Sequence, residues 1–407
     1  MDSRRRLATS LTIVGIVLIP ALLLRLTNAR TPAPVALVIF GAAVVGAAFL
    51  LAWAAEAAQF DISGGLAIAI LAVIAVLPEY AVDLYFAYTA GHEPSYAAYA
   101  AANMTGSNRL LMGLGWPVIV LLGLMASRRS GNPLKALPID SSSRIELGFL
   151  LIAGVAAVIA PLTADISLIL AVALIGWFAF YLYRVARAEV EEPELVGTAG
   201  AIGSLPTRRR RVVTIALFAI AAGMIMFCAE PFAESLIASG SSLGVDEFLL
   251  VQWLAPLASE APEFIVAILF AVRGNASGAL AMLISAKVNQ WTLLVGSLPV
   301  AYVVGGGAAT GLPLDPRQVE EMWLTAAQTL MGVSLILALR FPRWAAWTLL
   351  GLFAVQFAIP GTTGRLVVAG VYALLAIAGF VVNRQHVLPT LRAPFRPAAL
   401  LHGAGRQ

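Results

Sequence analysis

Apolar runs of about 20 residues recur along the whole of this 407-residue chain, and each can cross a bilayer core about 30 Å thick. No other feature constrains the fold as much. A backbone in lipid must satisfy its own N–H and C=O groups, so it crosses as a helix or within a closed barrel. Barrel strands are short and alternate apolar with polar residues, whereas the Leu, Ala, Val and Ile runs here are continuous. The protein therefore reads as an all-α polytopic membrane protein. Composition agrees: 60% of residues are hydrophobic and 12% charged, about half the charge of a soluble domain.

About twelve transmembrane helices are expected, at 7–26, 34–58, 62–90, 95–126, 144–161, 164–184, 212–239, 245–272, 277–304, 322–340, 344–360 and 365–383. The connections alternate in charge. "MDSRRR", "SRRSGNPLK", "TRRRR", "RFPR" and the tail fall on one side; "TNARTP", "AGHEPS", "PLTAD", "SGSSLGVDE" and "GLPLDPRQVEE" fall on the other. The Lys/Arg excess assigns the first set, and both termini, to the cytoplasm, which implies a plasma (inner) membrane. The first apolar segment follows Arg4, Arg5 and Arg6, but it is long for a signal peptide and no clear cleavage site follows it. It reads as a retained span. The linker at 185–211 is too short to bury a core and reads as a flexible hinge between two halves. Cys228, the single cysteine, leaves no disulfide frame and reads as a small core residue. The net charge of +4 comes from arginines at helix ends, so the expected partners are the lipid bilayer and not nucleic acid.

The two halves echo each other. "AVLPEYAVDL" (75–84) and "PLASEAPEFIVAIL" (256–269) each place Pro-Glu inside an apolar run, with Ala-Glu near the end of the preceding helix at Glu56 and Glu230. A second helix follows in each half, where Asn108 matches Asn289 and a Leu/Gly run leads to a proline. The Pro-Glu spans are the third and the eighth, and an odd offset reverses their direction across the membrane. Two inverted-topology repeats are the signature of a secondary transporter with its site near the midplane. The expected organisation is an N-terminus and extra first span at 1–33, a five-helix repeat at 34–184, the linker, an inverted five-helix repeat at 212–360, and an extra last span with a tail at 361–407.

Pro-Glu on the first helix of a hairpin and Gly-Ser-Asn on the second resembles the α-repeat of the calcium/cation antiporter superfamily, which includes the sodium/calcium exchangers. Leu77-Pro78-Glu79 and Gly106-Ser107-Asn108 carry the likeness in the first copy, and Pro262-Glu263 and Asn289 in the second. The resemblance implies a cation antiporter, not an enzyme, that moves Ca2+ or Na+ in exchange for Na+ or H+ by alternating access. It implies no cofactor beyond the transported cations. Glu79 and Glu263 become the central metal ligands, with Ser259, Ser107, Asn108, Asn289 and Thr292 as further cation-binding groups. The sequence also departs from the pattern. Ala75 and Val76 stand where hydroxyls are usual, Leu111 replaces an amide or acid, and Lys287-Val288 replaces the second Gly-Ser.

The chemistry of these residues gives the same emphasis. A carboxylate at the bilayer centre costs several kcal/mol unless it meets a polar cavity or a partner. Pro78 and Pro262 lack an N–H and so free the carbonyls of Ile74 and Ala258, and unwound carbonyls beside a carboxylate suit a hard cation. Asp83, one turn after Glu79, reads either as part of an ion pathway or as an interfacial acid. Glu260, one turn before Glu263, reads as functional. Glu56, Glu230 and Glu234 read as interfacial groups or as an access path. Lys287, one of two lysines, needs a carboxylate partner when buried, and Glu263 or Glu260 is expected. It either replaces a bound cation and takes part in coupling, or forms a fixed salt bridge. Arg109 is read as facing away and snorkelling. The competing function is a non-transporting scaffold or sensor whose cation site Lys287 fills; ion-dependent flux separates the two.

Overall fold

The computed structural model describes residues 3–61, 76–187, 197–359 and 361–396. Its helices are α1 (Ser3–Thr27), α2 (Ala33–Ala58), α3 (Leu77–Ala90), α4 (Tyr96–Arg129), α5 (Ser143–Thr163) and α6 (Leu168–Val185). The short α7 (Gly197–Gly203) precedes α8 (Thr207–Leu243), α9 (Glu247–Val272) and α10 (Ala276–Val304). Then come α11 (Pro316–Ile336), α12 (Arg343–Ala358), α13 (Gly361–Val382) and α14 (Arg384–Arg392). Among the described residues nine of these are long and apolar enough to cross a membrane: α1, α2, α4, α5, α6, α8, α9, α10 and α13. The other three expected spans coincide with α3, α11 and α12. Residues 62–75 of the third span lie outside the described residues, α11 carries Glu320 and Glu321, and α12 has 16 residues.

The protein divides into two compact units. One comprises Met1–Phe86 and Leu182–Pro262. At its centre α2 packs along α8, the opening helices of the two expected repeats. Ala43, Ala47, Leu51 and Ala54 on α2 and Ala221, Cys228, Phe232 and Leu236 on α8 are buried at helical spacing. Small side chains let two backbones approach closely where no water drives association. Asp61, just past α2, receives hydrogen bonds from Arg210 at 2.7 and 2.9 Å and from Arg211 at 3.0 Å, joining the two helix ends. The linker is expected to be a flexible hinge, and its residues 188–196 lie outside the described residues. Residues 197–203 form α7, which buries Ala199 and Ile202 and bonds to α1 through Thr198 and Ser10 at 2.9 Å. Apolar residues inside a polar-looking linker found a surface to cover.

The second unit comprises Ala87–Tyr181 and Glu263–Gln407. In it α10 packs on α4 and α5, and α11 on α4, α5 and α13. Four short strands, β1 (Ala136–Pro138), β2 (Asp165–Ser167), β3 (Gly311–Pro313) and β4 (Arg340–Pro342), pair as β1–β4 and β2–β3, both antiparallel. The pairing reveals the orientation of the repeats. β1 joins the third and fourth helices of the first repeat, while β4 joins the fourth and fifth of the second. β2 and β3 make the reciprocal pair. Successive connections of spanning helices lie on opposite faces, so this pattern requires the repeats to run in opposite directions. Each clip also joins two loops that the charge pattern assigns to one face. Gly311, at φ +143°, makes the β2–β3 clip possible: a Cβ there would come within 2.6 Å of the Ser167 Cα.

Candidate functional site

The sequence-predicted residues divide between the units. Glu79, Asp83, Ser259 and Glu260 belong to the first unit; Ser107, Asn108, Glu263, Lys287, Asn289 and Thr292 belong to the second. Glu79 sits in the first turn of α3, beside Pro78, and is buried; Asp83 follows one turn later and is fully buried. Ile74 lies outside the described residues. On α9, Pro256 and Pro262 are both inside an unbroken helix. Pro262 therefore frees the Ala258 carbonyl without unwinding the helix, a correction to the unwound segment expected there. Neighbouring turns hold the helix together, since one missing N–H costs one bond. The Ser259 hydroxyl donates to the carbonyls of Ala255 and Pro256 at 3.2 and 3.3 Å. Ser259 and Glu260 are buried, and Glu263 is half-buried.

The first unit also has a cavity of about 310 Å3 lined by Arg25, Glu230 and Glu234. Arg25 pairs with Glu230. Tyr85, on the helix of Glu79 and Asp83, donates to Glu234 at 2.5 Å. Among the described residues no group of three His, Cys, Asp or Glu comes together as a metal cluster.

In the second unit the structure brings two predicted residues together. Lys287 and Asn108 are both fully buried. The ammonium donates to the Asn108 backbone oxygen and, at 2.8 Å, to its Oδ1. Glu263 and Glu260, the partners expected from the sequence, remain a proposal. Thr292 donates its hydroxyl to its own helix, at Val288 O (2.5 Å), so its oxygen keeps acceptor lone pairs. One turn apart on α4, Asn103 and Ser107 are fully buried, and their side-chain polar atoms have no hydrogen-bond partner among the described residues. Buried polar atoms without partners are costly, and an oxygen-seeking cation would satisfy Ser107 Oγ and Asn103 Oδ1. A π-helical segment follows each matched asparagine: Leu111–Gly115 after Asn108 and Gln290–Leu294 after Asn289. Such segments concentrate at functional sites because they re-aim the backbone.

The sequence profile of the family described as "Sodium/calcium exchanger protein" matches residues 32–186 and 213–360. The protein belongs to the sodium/calcium exchanger family. It is an integral membrane antiporter of small cations. The solved structure of an H+/Ca2+ exchanger, CAX, is 38% identical, covers 98% of this sequence and 100% of its own, and superimposes with a TM-score of 0.91. Native YfkE shares the fold at 14% identity, over 90% of this sequence and 100% of its own, with a TM-score of 0.63. A structure of the sodium-calcium exchanger NCX_Mj does so at 19% identity, over 81% and 99%, with a TM-score of 0.52. Comparison with curated protein sequences returns no match. The antiporter reading thus replaces the non-transporting scaffold.

The exchanger also contains a charge network that the sequence alone does not reveal. Arg109 does not snorkel. It is buried and pairs with Glu321 at 2.6 Å, donates to Gln356 Oε1 at 3.2 Å, and lies near its own helix at Thr105 O. Arg365 on α13 pairs with Glu320 at 2.7 Å and approaches Glu321 at 3.7 Å. Both acids stand in a stretch that reads as a loop. Asp315 caps α11 instead, accepting from Gln318 N at 2.8 Å while Gln318 Oε1 accepts from Asp315 N at 3.0 Å, with Pro316 at the first helical position. That capping box starts the helix early and carries both acids into the packed interior. The signal is legible as Asp-Pro-x-Gln.

Proposed function

We propose that this exchanger moves Ca2+ in one direction and H+ in the other by alternating access. The observation that carries this reading is the 38% identity, over essentially the whole of both proteins, to one named as an H+/Ca2+ exchanger. Glu79 and Glu263 are the central cation ligands, each beside a proline in one of two matched helices. Asp83, Ser259, Glu260, Ser107, Asn108, Asn289 and Thr292 supply further oxygens, and Asn103 joins them on the strength of its unpartnered amide. Alternation of carboxylates between a cation and protons balances charge without a cofactor, and no enzymatic step is needed. The repeats are 34–184 and 212–360, flanked by the extra spans, and both termini lie in the cytoplasm of a plasma (inner) membrane; the Lys/Arg distribution supports that orientation.

The test uses purified protein in liposomes, with Ca2+ uptake followed under an imposed pH or sodium gradient. A pH gradient drives uptake, and Glu263→Gln lowers it by at least about a hundredfold, since a cation site loses its charge in a low-dielectric setting. Uptake driven only by sodium would replace the proton in the cycle. No Ca2+ flux under either gradient would reject calcium as the substrate.

A further inference from the structure

The Lys287 ammonium rests on two carbonyl-type oxygens of Asn108, the amide Oδ1 at 2.8 Å and the backbone oxygen. The ring of Trp291, one turn further along α10, lies 5.7 Å from Nζ. Carbonyl and amide oxygens are the ligands hard cations take, and an aromatic face adds its own attraction for a cation. Lys287 and Asn108 are fully buried, away from bulk water. The arrangement is one-sided. The position matched to Lys287 in the first repeat is Gly106, with Asn108 matched to Asn289. At this position the two repeats therefore differ by one charge on a stem, which reaches from the second repeat to Asn108 of the first.

We propose that Lys287 is a resident cation, covalently held in an oxygen site at Asn108, and that it excludes sodium from this exchanger and so sets its ion selectivity. The ammonium is comparable in size and charge to a small monovalent cation, and its stem prevents it from leaving. A free monovalent ion cannot take oxygens that a tethered one already occupies. The proposal deepens the antiporter reading and rests on it for its meaning in transport. It makes a separate statement about binding.

Two readouts test it on the full-length protein. In detergent, sodium leaves the melting temperature of the wild type and of Lys287→Arg unchanged, but raises that of Lys287→Gly and of Lys287→Met, which keeps the bulk of the stem. In liposomes, calcium uptake by the wild type ignores sodium, whereas in Lys287→Gly sodium competes or drives, with apparent sodium affinity raised at least about tenfold. That is a lower bound, since one unit charge a few ångströms away at a protein-like dielectric is worth more than a tenfold change. A sodium-stabilised wild type overturns the proposal whichever ion is carried. So do folded Lys287→Gly and Lys287→Met variants that ignore sodium in the thermal assay, which would make the lysine a tie between helices. If flux is absent but sodium stabilises only the two neutral variants, the H+/Ca2+ reading fails while the tethered cation stands.

Discussion

Helices α4 and α10 occupy matched places in the two repeats, carry matched asparagines and develop π-helical segments just beyond them. They treat buried positive charge differently. Arg109 on α4 reaches a carboxylate, Glu321, on α11. Lys287 on α10 reaches the neutral oxygens of Asn108. An arginine–carboxylate pair neutralises itself and adds planar hydrogen bonds, so it suits a permanent joint. An ammonium on carbonyl oxygens resembles a solvated ion. On the proposal made above, the same type of helix carries a piece of architecture in one repeat and a tethered cation in the other.

The largest effect should come from breaking the architectural side. Arg109→Leu leaves Glu321 with only the more distant Arg365, at 3.7 Å, and should destabilise by about 3–5 kcal/mol, the cost of breaking a buried ion pair by removing one partner. Thermal unfolding in detergent measures it. Arg109→Met combined with Glu321→Met should recover most of that loss, because removing both charges removes the desolvation penalty too. A double variant as unstable as the single would show that shape, not charge, is what Arg109 supplies.

Asn108→Ala sharpens the other side of the comparison. It removes the side-chain oxygen that Lys287 meets at 2.8 Å and should cost about 1–3 kcal/mol, less than Arg109→Leu, while altering ion response. Equal costs for the two substitutions would erase the distinction between the helices. At the β2–β3 clip, Gly311→Ala forces a methyl toward Ser167 at a φ that side chains rarely adopt and should destabilise by about 1–3 kcal/mol. Hydrogen exchange of the Ile166 and Leu312 amides reads it locally.

The smallest effect belongs to an ion pair outside the spans. Hydrogen bonds from Arg210, and then Arg211, hold the Asp61 carboxyl down at about 2, against an ordinary value of 3.8. A depressed acid contributes stability above its unfolded pKa and loses it as pH falls through the folded one. The Asp61 contribution should therefore be present above about pH 4 and disappear toward pH 2, within the roughly 1 kcal/mol typical of exposed pairs. Asp61→Asn should flatten that part of the pH–stability profile. An unchanged profile would mean that the pair contributes nothing.

Much of the fold is legible in the sequence because long apolar runs leave a polypeptide few options in lipid. Over the described residues each expected span coincides with a helix, and the duplicated Pro-Glu pairs announce an inverted repeat that the strand clips display. The partner of Arg109 is not legible, because Glu321 lies far downstream in a stretch of loop-like composition. Its capping box is short, polar and easily taken for part of that loop. The π-helical segments leave no local signature in "LMGLG" or "QWTLL", since a one-residue excess in a helix is decided by what packs around it. Lys287 stands out at once, yet Asn108 is not a partner that charge counting suggests. Proximity between repeats is set by tertiary packing.

The reciprocal clips have a further consequence. Element A of one half meets element B of the other, and element B of the first meets element A of the second. That is the contact pattern of an isologous interface between two identical subunits, here written into one polypeptide. Severed at the linker, each half, a five-helix repeat with one extra span, would carry both complementary edges, and so could recognise a second copy of itself lying upside down in the same bilayer.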